Sequence, residues 1–507
     1  METQGPGQDP GRDRQKWVVF AVLAVGLFVE VMDFGMVGVA LPSIADDFDL
    51  PLASAAWVIL STALTLAAVL LPVGALSDAI GRKRTYVIGA VFFGVGSLIS
   101  LIAPSLGPLV AGRVIAAIGA AMRMATGFAI VATVFPPEER GKGLGATTSV
   151  VGFAAITGPI VGGVLVDAFG WRSIFIYQGV GSLLVLIPAL FILDPARVDA
   201  GRRQLHGRFD FFGAALSAVG FVVLILVMNS GGSVGWTSPL ILGGAAGTVM
   251  IVAVFIRHEL RTPQPMFDLR AFTNTRFSWA ISARFLGFLP GSAYIFLMPF
   301  YLQDVQGYGP SQVGLVMFPG AAGMAVMAGV SGQLSDKFGV RPFVVSGLVL
   351  VTGSVIVLAT LHESSSVWLI MLTLLVQSLG MGLWISPNAA ATMSAVEPAA
   401  FGVVAAFLNL VRTVANVTSV ALASAVVSGA IVASGFEPDL SEIADDATGG
   451  MAAAFVLGAR YVYLALAVAG VAAIVAALKM KEPERAAPPA GLDRDPAPRA
   501  IGGGRAD

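Results

Sequence analysis

Fourteen apolar runs, each long enough to cross a bilayer as a helix, leave this chain few ways to fold. They fall at roughly 17–41, 53–77, 85–104, 107–134, 143–167, 173–193, 211–229, 239–256, 277–302, 311–335, 342–361, 367–394, 400–433 and 452–478. About 20 apolar residues in helix span the hydrocarbon core. In lipid every backbone polar group must be paired within the chain, which favours helices. Only 12% of the 507 residues are charged, against about 25% in a soluble domain. The predicted class is an all-α polytopic membrane protein. The first run, from Trp17, is too long for the apolar stretch of a cleaved leader and reads as an uncleaved span.

A repeat organises these spans. Gly74 to Arg84 reads G-A-L-S-D-A-I-G-R-K-R, and Gly332 to Arg341 reads G-Q-L-S-D-K-F-G-V-R. Gly74, Leu76, Ser77, Asp78 and Gly81 each recur 258 residues later, at Gly332, Leu334, Ser335, Asp336 and Gly339. Each copy lies between two apolar runs, so each is a tight basic loop between membrane helices. Two similar halves are the architecture of many transporters. The second and tenth spans are eight apart, where twelve spans in two equal halves would put them six apart. Two helices, 211–229 and 239–256, are therefore expected as an insertion between six-helix bundles at 17–195 and 277–478. Residues 196–276 then hold inner loops and the inserted pair.

Charge orients the chain. With the N-terminus inside, fifteen basic residues fall in inner loops, among them Arg82, Lys83, Arg84, Arg140, Lys142, Arg202, Arg203, Arg208 and Arg341. The outer loops are neutral or acidic, as at Ala45–Asp49 and Glu437–Asp446, apart from Arg172 and, at a span's edge, Arg460. Lysine and arginine concentrate on the cytoplasmic side, so both termini are expected there, in a plasma membrane. Residues 1–16 and 479–507 read as unstructured tails.

Absent chemistry narrows the function. The sequence has no cysteine and only three scattered histidines, His206, His258 and His362, so no metal cluster or thiol chemistry is expected. No G-x-x-x-x-G-K-[ST] loop is present to couple ATP directly. No nucleophile–base set points to an enzyme. No cofactor and no nucleic-acid partner are expected. Asn416-Val417-Thr418 lies inside a span and cannot be glycosylated.

The loop at Gly74–Arg84 resembles the signature loop of the major facilitator superfamily, between its second and third spans. That resemblance implies two six-helix bundles that rock about a central site, here with fourteen transmembrane helices. Asp78 lies at the negative pole of its own helix, which is unfavourable without compensation. Its expected partners are Arg82 to Arg84 or the N-terminus of the helix beginning near Ala400. Asp336 is expected to face the helix beginning near Lys142. Gly74, Asp78, Gly81, Arg82, Arg84, Asp336 and Arg341 are the candidate gate on the basic side.

Gly158-Pro159-Ile160-Val161-Gly162-Gly163 is similar to the antiporter motif of exporters in that superfamily, with Ala154 at its upstream glycine. Pro159 should bend the helix, while Gly158 and Gly162 should admit a close neighbour. Met32-Asp33 through Pro42 resembles the first-span motif of fourteen-span drug:proton antiporters, with Gly35 and Gly38 where that motif has Thr and Asn. Arg113 falls on that family's buried arginine, with Ala116 and Ala117 in place of Gln and Gly. Leu302 to Pro310 is similar to a further segment of the same group.

Glu30 and Asp33 are acids at membrane depth, three residues apart and within about 60° on a helix face. Such acids are costly in hydrocarbon and mark functional sites. Arg113, Arg123, Arg284 and Arg412 lie at similar depth, so a charge-paired cavity is expected. Glu30, Asp33, Arg123 and Arg412 are the candidate substrate contacts, and Asp33, Glu30 and Arg113 the candidate proton-coupling set. Asp33 is expected to carry the proton, and Glu30 to meet a cationic substrate or pair with Arg123. Phe34, Phe153 and Trp384 are candidate apolar lining.

The function expected is a monomeric, proton-coupled exporter of small amphipathic or drug-like molecules. The alternatives are an exporter of an endogenous metabolite, lipid or self-made antibiotic, and a non-transporting receptor or scaffold.

Overall fold

The computed structural model describes residues 10–50, 52–55, 57–199, 210–263, 265–308, 310–436 and 450–480. Fourteen of its helices are long and apolar enough to cross a membrane. They are α1 (Pro10–Asp47), α2 (Trp57–Ile80), α3 (Arg82–Leu101), α4 (Leu106–Val134), α5 (Arg140–Phe169), α6 (Ser173–Ile192), α7 (Phe211–Val234), α8 (Pro239–Arg261), α9 (Thr275–Phe300), α10 (Pro310–Phe338), α11 (Val340–Leu358), α12 (Val367–Ser394), α13 (Phe401–Ala433) and α14 (Gly450–Lys479). α1 starts at Pro10, so residues 10–16 extend the first helix where an unstructured tail was expected. Within that extension Lys16 pairs with Glu139 at the foot of α5. Residues 1–9, 481–507 and 437–449, with Arg202, Arg203, His206 and Arg208, lie outside the described residues.

α1–α6 pack as one bundle and α9–α14 as another. The bundles meet along two seams, α2 on α13 and α5 on α10. The 258-residue repeat relates α2 to α10, so the seams are approximate copies of one another. At each repeat loop a helix ends and the next begins after one glycine, Gly81 at φ 112° and Gly339 at φ 94°. A side chain is strained in that left-handed region, which is why the loop can be this short only with glycine.

The seams are close because small residues line them. A Cβ on Gly74 would stand 2.5 Å from Ala406 Cβ, and one on Gly332 would stand 2.1 Å from the Gly141 carbonyl oxygen. A Cβ on Gly152 would meet Ala325 Cβ at 2.8 Å. All three approaches lie in the halves of the helices nearest the basic loops.

The inserted pair is placed on one seam only. α7 packs against both α2 and α13, and α8 lies outside it on α7. The chain leaving α8 then tucks beneath α13, with Phe267 buried and stacked on Phe407 at 4.6 Å. α7 thus bridges the two bundles, touching α2 of one and α13 of the other.

Candidate functional site: gates and a central cavity

At the basic end of the first seam, Asp78 sits on the last turn of α2, buried. Its two carboxylate oxygens accept the backbone N–H groups of Gly402 at 3.0 Å and Val403 at 2.9 Å, the first turn of α13. Four N–H groups at a helix start have no partner of their own, and the helix dipole favours an anion there. Arg82 donates to the same carboxylate through Nε at 3.2 Å and Nη2 at 3.0 Å, and Nη2 also donates to the Pro398 carbonyl at 2.7 Å. Both expected partners of Asp78 therefore meet it together.

The second seam repeats half of this. Asp336 accepts from the backbone N–H groups of Gly141 at 3.0 Å and Lys142 at 2.9 Å, at the start of α5. The position matching Arg82 is Val340, so this carboxylate has no arginine in register behind it. Arg84 and Arg341 are exposed.

Between the bundles lies a cavity of about 430 Å³, within the size range of small-ligand sites. α1 supplies Glu30, Asp33, Phe34 and Gly35 to its wall, α4 supplies Ala116, Ala117, Ala120 and Met124, and α13 supplies Arg412. Asp33 is 3% exposed and is gripped by Arg113 through two parallel hydrogen bonds of 2.8 Å. Gln178 of α6 donates to the same carboxylate, and Ser97 of α3 donates to Gln178 Oε1 at 3.2 Å. Glu30 pairs with Arg123, whose Nε lies 2.5 Å from Oε1 but off the hydrogen-bonding direction. The Arg123 guanidinium packs over the Phe93 ring at 4.5 Å.

Two expectations need correcting. The cavity is not fully charge-paired: Arg284 donates to the Leu408 carbonyl at 3.1 Å and Asn388 Oδ1 at 3.4 Å, and no carboxylate reaches it or Arg412 among the described residues. Trp384 does not line the cavity; it is fully buried within the second bundle, edge-on to Phe288 at 5.0 Å. Of the three aromatics only Phe34 is on the wall.

The glycine–proline motif of α5 packs on α1. Cβ atoms on Gly158 and Gly162 would meet Met32 O at 2.8 Å and Met36 Cα at 2.7 Å, and one on Gly35 would meet Pro159 Cδ at 2.6 Å. A side chain at Gly35 would thus meet the Pro159 ring. Gly163 makes only an ordinary contact with Val39.

A family profile described as Major Facilitator Superfamily matches residues 23–420. The chain belongs to the major facilitator superfamily. Among curated members it is 31% identical over 400 residues to the riboflavin transporter RibZ of Clostridioides difficile strain 630, covering 79% of this chain and 85% of that one. It is 30% identical over 436 residues to the multidrug resistance protein Stp of Mycobacterium tuberculosis, covering 86% and 80%. A solved proton:xylose symporter, XylE, shares the fold with TM-score 0.62 at 15% identity, over 93% of this chain and 97% of that chain. As a major facilitator protein the chain is a membrane transporter of small molecules and not an enzyme. Within that fold, sequence reasoning missed Gln178 and Ser97, because a polar residue in an apolar run names no partner until α3 and α6 are placed beside α1. It also missed Thr133, which accepts from Arg82 Nη1.

Proposed function

We propose that this major facilitator transporter is a proton-coupled exporter of small amphipathic molecules, working by alternating access across a plasma membrane as a monomer. The basic face is cytoplasmic, with both termini on it, because lysine and arginine concentrate on that side. The Asp78 and Asp336 contacts join the ends of both seams on that basic face, and this reading takes the conformation as the one closed to the cytoplasm.

The observation that carries the reading is Asp33: a buried carboxylate on the cavity wall, held by the Arg113 and Gln178 side chains. A proton arriving from outside neutralises Asp33 and loosens Arg113 and Gln178. Charge on the cavity floor is redistributed and the substrate departs outward. The rocking step must break two short anion–helix contacts, one on each seam, so the gates set a barrier between states. Closing the cavity from outside then carries the proton to the cytoplasmic side.

The riboflavin transporter among the relatives supports a second reading, in which the cargo is an endogenous metabolite. Reconstituted protein tested with a panel of substrates under an imposed pH gradient decides both points. Flux that requires the gradient supports proton coupling, and the panel sorts the cargo.

A further inference from the structure

The charges at membrane depth do not balance. Glu30 and Asp33 each face one arginine, and those four charges cancel. Across the cavity, α13 brings Arg412 to the same wall. Among the described residues no ion pair and no hydrogen bond holds its guanidinium, and Arg284, of the same sign, repels it. Arg284 itself is bonded only to neutral acceptors. The described carboxylates of the second half lie elsewhere: Asp336 in a gate, Asp304 in the turn ending α9, Glu363 and Glu397 in loops. Among the described residues, two guanidiniums within the apolar spans α9 and α13 therefore lack a counter-anion, and isolated charge is costly in hydrocarbon. The first bundle supplies its own counter-charges; the second leaves Arg412 facing the substrate space without one.

We infer that the cargo is an organic anion, held through its carboxylate, sulfonate or phenolate by Arg412. This rests on the export reading of the same cavity and names the substrate class for it. A guanidinium offers a planar fork of donors that matches such an oxyanion in a way an ammonium cannot. The apolar body of the cargo lies against Phe34, Leu66 and Met124, which line the same space. Glu30 is occupied by Arg123 and is not the contact for a cation. One-for-one exchange of an outgoing anion for an incoming proton moves two charges in the same electrical sense. Export is then driven by membrane potential as well as by the pH gradient, whereas exchange of a singly charged cation would be electroneutral.

The test uses two xanthene dyes of opposite charge, sulforhodamine B (an anion) and rhodamine 6G (a cation). Binding to the full chain in detergent is read by fluorescence polarisation, and flux is read in proteoliposomes under a pH gradient with and without an inside-negative potential. Sulforhodamine B is expected to bind at least tenfold more tightly than rhodamine 6G. R412Q is expected to weaken the anion at least tenfold and leave the cation unchanged or improved, while R412K, which keeps the charge but loses the fork, recovers only part of the anion's affinity. Rhodamine 6G binding as tightly as sulforhodamine B, or no anion binding at all, overturns the inference without needing any variant to fold. Equal weakening of both dyes in R412Q also overturns it, since that is a packing effect. Gradient-driven export of the cation alone would preserve the export reading and sink the anion assignment. Anion binding through Arg412 with no response to the gradient would preserve the assignment and sink the coupling.

Discussion

Asp78 and Gly402, 324 residues apart in the chain, are joined by a 3.0 Å hydrogen bond from the Gly402 backbone N–H to the Asp78 carboxylate. The bond joins the end of one helix to the start of another in the opposite bundle, so it exists only while that seam is shut. Hydrogen bonds to charged groups contribute about 1.5–3 kcal/mol each, and every 1.4 kcal/mol is about a tenfold change in population. Asp78→Asn keeps one acceptor oxygen and loses the charge. Its turnover should fall about tenfold or more, with membrane insertion and substrate affinity retained. Transport assays normalised to protein amount, alongside equilibrium binding, check this; wild-type turnover would remove Asp78 from the gate.

Gly332 tests the twin gate by shape alone. A methyl there would lie 2.1 Å from a backbone oxygen, which cannot swing aside as a side chain could. Gly332→Ala should hold the α5–α10 seam apart and cost more than tenfold in transport. Gly38→Ala, at a position with nothing within 4 Å, should be neutral. Equal activity of the two variants would show that the seam need not close this tightly.

The buried Asp33–Arg113 pair should show up in stability. Removing one partner of a buried pair strands the other charge and costs about 3–5 kcal/mol. Arg113→Gln and Asp33→Asn should each lower the unfolding temperature in detergent, and the double variant should lose much less than their sum. Additive losses would mean that the two side chains act independently.

These contacts were unequally legible in the sequence. The two gates could be anticipated because a repeated Asp at a helix end needs a positive pole, and the repeat itself says which helix starts face it. Acids and bases at equal depth put Arg113 and Asp33 in one set and offered Arg123 to Glu30, but did not say that Arg113 grips Asp33. The unpaired state of Arg412 did not, since a residue list shows charges without showing which ones touch. Trp384 was misplaced because an aromatic in an apolar helix carries no mark of which side it faces. The start of α1 at Pro10 was missed because Arg12–Lys16 read as polar tail, although Lys16 there reaches Glu139.

Outside the membrane spans, Arg172 donates to Asp47 at 2.7 Å, with the Trp171 indole N–H at 3.2 Å, and these bonds hold the carboxyl below the usual carboxylate range. A group depressed on folding contributes stability above its unfolded value and loses it as pH falls through the folded one. The difference in unfolding temperature between wild type and Asp47→Asn should therefore be constant and small from pH 7 down to about 4. Below that it should close. A difference that grows on acidification would contradict this.

The central claim is that Asp33 carries the proton that drives export. Substrate-induced proton release from detergent-solubilised protein tests it most directly, compared in wild type, Asp33→Asn and Glu30→Gln. The account predicts release in wild type and in Glu30→Gln, and none in Asp33→Asn. Release retained in Asp33→Asn and lost in Glu30→Gln would contradict it.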